Sequence, residues 1–233
     1  MQPEVDDETE TSSFIEESLV LGREIDKEKI VEELMQFKPK EKHIPVITIV
    51  GMVGVGKTTL AQNLYNDQRV TQYFELKMWI HVTRGSTVYK ITKELLEIVT
   101  KQKCKISNME LMQRQLEYNL RGRRYLIVID NMWNISQSDW KKLRYALDIG
   151  AMEGSKIIVT SQNANVARTM DVKLSHDLKI LSVKDSWTLF CRCAFGDSSP
   201  DAHPELVSIG KKIVKMAEGL PLALIKLGGL LRF

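Results

Sequence analysis

Eight consecutive residues, Gly51-Met-Val-Gly-Val-Gly-Lys57-Thr58, have the types and spacing that hold a polyphosphate. Glycines at 51, 54 and 56 let backbone N–H groups close around a phosphate without Cβ clashes. Lys57 is placed to bridge β- and γ-phosphates, the Thr58 hydroxyl suits Mg²⁺, and Thr59 would reach the α-phosphate. The candidate cradle is therefore Gly51, Val53, Gly54, Val55, Gly56, Lys57, Thr58 and Thr59. Such a cradle needs a carboxylate near the metal, at the end of a neighbouring strand. Arg124-Tyr-Leu-Ile-Val-Ile-Asp130 supplies Asp130 after an apolar run. Asn131 follows; it is neutral and a very poor base, so it can only position a water. Lys57, Asp130 and Asn131 are the residues through which hydrolysis would run. The set predicts a nucleotide with Mg²⁺ and weak credentials for turnover.

These residues need strands and helices to position them. Val46-Ile-Thr-Ile-Val50 is a β-rich run ending at the first glycine of the loop. Leu76–Val82, Tyr125–Ile129 and Lys156–Thr160 are strand-like as well. Helical periodicity covers Ile25–Met35, Lys57–Asn66, Val88–Thr100, Met109–Leu120 and Asp139–Leu147. Near-continuous apolar strands separated by helices predict a parallel sheet covered on both faces, a three-layer α/β/α fold. Beyond about Val166 the strand signal fades. Ser182-Val-Lys-Asp185 has the form of a capping box opening a helix. His203–Ala217 and Leu222–Leu231 complete a small helical subdomain. The expected divisions are an acidic disordered arm over 1–19, a nucleotide-binding domain over 20–165 and a helical subdomain over 166–233.

Composition narrows the classes. A net charge of +3 in 233 residues, evenly spread, argues against a nucleic-acid footprint. No apolar run approaches the ~18 residues of a membrane span, and the acidic start is no signal peptide. Cys104, Cys191 and Cys193 lack zinc spacing and fit reduced thiols in a cytoplasmic protein. His43, His81, His176 and His203 lack ligand spacing and are read as structural or exposed. Trp79, Trp133, Trp140 and Trp187 are read as core.

Several stretches resemble the NB-ARC domain of plant disease-resistance proteins of the NLR class. They are the loop through Ala61, Phe74-Glu-Leu-Lys-Met-Trp-Ile-His-Val82, and Tyr125-Leu-Ile-Val-Ile-Asp-Asn-Met-Trp133. Gly154-Ser-Lys-Ile-Ile-Val-Thr160, Leu181-Ser-Val-Lys-Asp-Ser-Trp-Thr-Leu-Phe190, Gly219-Leu-Pro-Leu-Ala223 and the entry block Leu21-Gly-Arg-Glu24 are similar to its other motifs. The resemblance spans roughly residues 20 to 231 and implies a P-loop NTPase fold with an ARC-type helical subdomain. It implies a switch held inactive by ADP and activated by exchange for ATP, working with other receptor domains or proteins. Pro221 would pack near the nucleotide, and Arg23, with Val20 and Leu21, near the adenine.

Departures from the family pattern qualify that expectation. Val53 stands where a third glycine is usual, and is strained only if its φ is positive. Asn131 replaces the second aspartate of the acidic pair. Gln162 replaces an arginine that in the family reads the γ-phosphate, which removes a fixed cation where ATP differs from ADP. The sequence is expected to be truncated after the Gly-Leu-Pro-Leu-Ala block, without the winged-helix subdomain or leucine-rich repeats. The leading expectation is an ADP-favouring switch module that hydrolyses ATP very slowly or not at all. The alternatives are a nucleotide-independent scaffold pairing with a full-length receptor, and an active P-loop ATPase.

Overall fold

The computed structural model describes residues 11–16, 20–36, 43–172, 174–196 and 204–231. Apolar residues along the strands alternate between two cores. In β3 (Tyr125–Asp130), Tyr125, Ile127 and Ile129 enter one cluster, while Leu126 and Val128 enter the other. In β4 (Lys156–Ser161), Ile157 and Val159 oppose Ile158 in the same way. Period-2 side chains with both faces apolar require helices on both sides. The first face is covered by α4 (Val88–Thr100), α5 (Met109–Leu120) and α6 (Gln137–Gly150), through Leu95, Leu116 and Leu143. The second is covered by α1 (Glu24–Met35), α2 (Lys57–Asn66) and α3 (Gln68–Tyr73), through Leu34, Leu60 and Val70. The three-layer expectation holds.

Among the described residues the sheet has five strands, all parallel, in the order β2-β3-β4-β1-β5. β1 is Val46–Val50, β2 Leu76–His81 and β5 Leu174–Asp177. All carboxyl ends therefore lie along one edge, where α/β sheets hold ligands. Three local differences from the sequence reading stand out. β5 lies beyond Val166, where strand signal was expected to fade; it pairs with β1 at Ile47↔Leu174 through Val50↔Asp177. The sheet thus runs past the expected boundary at 165, and α7 (Asn165–Thr169) precedes its last strand. β4 also separates β1 from β3, so Asp130 sits one strand away from the strand that carries the loop. Helix α2, not strand adjacency, brings the two together.

The helical cluster consists of α8 (Val183–Phe195), α9 (Pro204–Met216) and α10 (Pro221–Leu230), packed around Leu189, Phe190, Val214 and Leu224. Ser182 caps α8 as expected: its Oγ accepts from the Asp185 N–H at 3.1 Å. Pro221 opens α10 after the left-handed Gly219, a place where its missing N–H is harmless. The expected disordered arm needs correction over 11–16, where the chain lies against α2 and Asp130. The rest of that arm's acidic run, residues 37–42 and His203 lie outside the described residues.

Candidate functional site

The loop between β1 and α2 is shaped by its carbonyls. Lys57 Nζ donates to the Gly51 and Met52 carbonyls at 2.9 and 2.8 Å. The Gly54 carbonyl accepts from the Leu222 N–H at 3.1 Å, and the Val55 carbonyl from Arg23 Nη2 at 2.8 Å. The Val55 N–H makes a longer 3.4 Å bond to the Met52 carbonyl. Gly54 and Gly56 hold φ values of 75° and 97°, which only glycine adopts without strain. A Cβ on Gly54 would meet Leu222 Cβ at 2.8 Å, so the loop and α10 need the bare backbone here. Val53 is not among the residues of positive φ and is largely exposed, so its substitution for glycine carries no strain.

Asp130 is fully buried at the end of β3. Thr58 donates to its two carboxylate oxygens at 3.0 and 3.1 Å, Thr160 to Oδ1 at 2.5 Å and Thr11 to Oδ2 at 2.7 Å. Burial pushes this carboxyl upward, but the polar groups of His81, Thr160, Thr11 and Thr58 outweigh it and hold the group below its ordinary value. An ionised carboxylate beside a threonine hydroxyl is donor chemistry that fits Mg²⁺ with its waters. The glycine-lined backbone and the helix N-terminus at Lys57 fit phosphate. Burial lowers the Lys57 ammonium below its usual range, and the charge of Asp130 opposes that.

A hollow opens beside the loop. It is a cavity of about 150 Å³ with Val20, Leu21, Val55, Thr59, Leu181 and Pro221 among its walls. Arg23 is part of the lining, but its guanidinium is committed to backbone: Nη1 donates to the Lys179 carbonyl at 2.7 Å while Nη2 holds Val55. Burial lowers its pKa despite nearby Asp26. Arg23 thus fastens the loop to the segment after β5, and Pro221 brings α10 to the same hollow.

The remaining candidates are placed differently. Asn131 has φ 64°, the left-handed region that asparagine tolerates, and its side-chain amide donates to the Val82 carbonyl at 3.4 Å. It turns the chain after β3 and points its amide at the end of β2. Gln162 directly follows β4 and is half-buried. Four residues were not picked out from the sequence: Thr11, His81, Thr160 and Leu222. His81, read as structural, pairs in register with Asp130, and its Nδ1 lies 2.9 Å from Thr11 Oγ1. Its only sequence signal was the strand-ending position opposite Asp130.

A family model for the NB-ARC domain matches residues 23–199. The chain is 42% identical over 225 residues to a putative disease resistance RPP13-like protein 1 from Arabidopsis thaliana, covering 96% of this chain and 21% of that one. It is 39% identical over 226 residues to the disease resistance protein RGA2 from Solanum bulbocastanum, covering 96% and 23%. The chain thus spans about a fifth of the length of these relatives. The crystal structure of Cdc6p from Pyrobaculum aerophilum superposes with a TM-score of 0.59 at 14% identity, over 89% of this chain and 65% of that one, a likeness of fold. Among the described residues no helix is long and apolar enough to cross a membrane. With the loop, the buried aspartate and the family match in agreement, the chain belongs to the NB-ARC family, whose members matched here are plant disease resistance proteins.

Proposed function

We propose that this chain is the nucleotide-holding switch module of a cytoplasmic plant immune receptor, that it favours ADP, and that it turns ATP over slowly or not at all. The observation that carries the reading is the hydrogen bond from the Leu222 N–H to the Gly54 carbonyl. It makes the phosphate loop and the helical cluster one structural unit, so what the loop holds bears directly on where that cluster sits. Bound Mg²⁺ would neutralise phosphate charge beside Thr58 and Asp130. Lys57 would bind the phosphates, and Arg23, Thr59 and Pro221 would shape the nucleoside end.

Slow turnover follows from residue chemistry. Asn131 is no base, and its side chain is directed at Val82. Gln162 brings no charge to the position where the family has a cation.

The test is the nucleotide released on denaturing the purified protein, identified by chromatography, with Lys57→Ala beside it. Stoichiometric ADP in the parent, lost in the variant, is the expected result. A folded protein that carries and binds no nucleotide would instead support the scaffold reading.

A further inference from the structure

The segment 11–16 is held at both ends of the site. Thr11 Oγ1 donates to Asp130 Oδ2 at 2.7 Å and lies 2.9 Å from His81 Nδ1. Its single proton goes to the carboxylate, so it can only accept from the imidazole. That places a proton on His81 Nδ1 and leaves Nε2, which is buried and makes no hydrogen bond among the described residues, as the other ring nitrogen. The next two carbonyls are caught by α2: Gln62 Nε2 donates to Ser12 at 2.6 Å, and Asn66 Nδ2 to Ser13 at 2.7 Å. Gln62 and Asn66 are one helical turn apart, so the segment runs along one face of α2. Glu16 then reaches the lining of the hollow beside the loop.

Asp130 has few acceptor directions left. Thr58 and Thr160 already use Oδ1, and Thr58 also approaches Oδ2. Thr11 stands on Oδ2, the oxygen through which the carboxylate would otherwise accept from a metal-bound water. We propose that residues 11–16 are a strap whose Thr11 hydroxyl and a Mg²⁺-bound water compete for Asp130, so that Mg²⁺–nucleotide binding and strap docking oppose each other. The proposal rests on the nucleotide reading above and adds a regulating segment that precedes the family match at residue 23. Linkage makes the effect reciprocal: a docked strap raises the Mg²⁺ needed to retain nucleotide, and Mg²⁺–nucleotide loosens the strap.

Both halves are measurable without turnover. Strap release is read as the rate of chymotryptic cleavage after Phe14, by mass spectrometry of the released peptide. Metal coupling is read as the Mg²⁺ concentration that half-saturates retention of a fluorescent ADP. In the unmodified protein, Mg²⁺ with a non-hydrolysable ATP analogue should speed cleavage about tenfold over the analogue with EDTA, the worth of one charge-assisted hydrogen bond. Thr11→Val should cleave fast without Mg²⁺ and need about tenfold less Mg²⁺, while Thr11→Ser behaves as the parent. Asn66→Ala, which removes a docking bond without touching Asp130, should shift both readouts in the same direction. Unchanged cleavage and Mg²⁺ dependence in Thr11→Val, with nucleotide still retained, would refute the strap alone. A higher Mg²⁺ requirement in Thr11→Val would also overturn it, by making Thr11 a supporter of the metal. Loss of nucleotide retention in every variant and in the parent would sink the site reading and the strap together.

Discussion

Gly54→Ala puts a methyl group into the joint between the phosphate loop and α10. Two separable penalties result. At φ 75° an L-residue is strained by about 1–2 kcal/mol. The new Cβ would also lie 2.8 Å from Leu222 Cβ and 3.1 Å from Leu222 Cδ2, so α10 must recede. Receding stretches the Leu222–Gly54 hydrogen bond, worth about 0.5–1.5 kcal/mol net. Together these come to roughly 1.5–3.5 kcal/mol, or a fall in Tm of roughly 3–14 °C at this chain length. Gly122→Ala is the matched control: its φ is 72°, and a Cβ there meets nothing within 4 Å. It should show the backbone part alone, and it should leave nucleotide dissociation unchanged. Differential scanning calorimetry and the release rate of fluorescent ADP, measured on both variants, separate the terms. Equal falls in Tm and equal release rates would show that Leu222 yields freely, and would remove the argument that α10 and the loop are rigidly joined.

Three further outcomes are expected. Gln162→Arg should raise affinity for ATP relative to ADP, measured by isothermal titration; an unchanged ratio would mean that position 162 does not face the terminal phosphate. Arg23→Lys should lower stability by about 2 kcal/mol or more, because one ammonium cannot span the Val55 and Lys179 carbonyls as the guanidinium fork does, and a thermal melt reads this directly. Asp67 is held below its ordinary carboxylate value of 3.8, first by its hydrogen bond to Arg69 and also by Lys27. Because the folded value is the lower one, this stabilisation is complete above 3.8 and lost as pH falls through the folded value. Tm against pH should therefore fall less steeply below that point in Asp67→Asn; parallel curves would count against the linkage.

How much of this was legible in the sequence depends on which forces act locally. β1, β3 and β4 are short apolar runs buried on both faces, and apolar content alone marks them. β5 is Leu-Ser-His-Asp at the sheet edge and mostly exposed, so neither alternation nor hydrophobicity marks it. It exists because β1 offers its free side as a template. α3 buries only Val70 among its six residues, too little for a periodic signal. The loop glycines, Lys57 and Thr58 form a contiguous motif and were readable as such. Thr11, His81, Thr160 and Leu222 come from four separate segments, and only the folded chain brings them to Asp130 or to Gly54. Arg23 was expected near the adenine; it lines the hollow beside the loop, and its carbonyl partners were invisible without the tertiary contact.

The two carbonyls pulled outward at Gly54 and Val55 have a further consequence. A trans peptide unit is a rigid plate with its C=O and N–H on opposite edges. Donors from outside the loop, the Leu222 N–H and the Arg23 guanidinium, grip the oxygen edges of two successive plates. The opposite edge of the second plate, the Gly56 N–H, is thereby aimed without help from any guest, while the Val55 N–H of the first is turned to the Met52 carbonyl. On the proposed nucleotide reading, the loop is in host–guest language a crown assembled during folding, with its ordering entropy already spent before an anion arrives. Selectivity among anions is then a matter of fit to a fixed ring, and a change that frees either outer donor would return the ring to a floppy open chain.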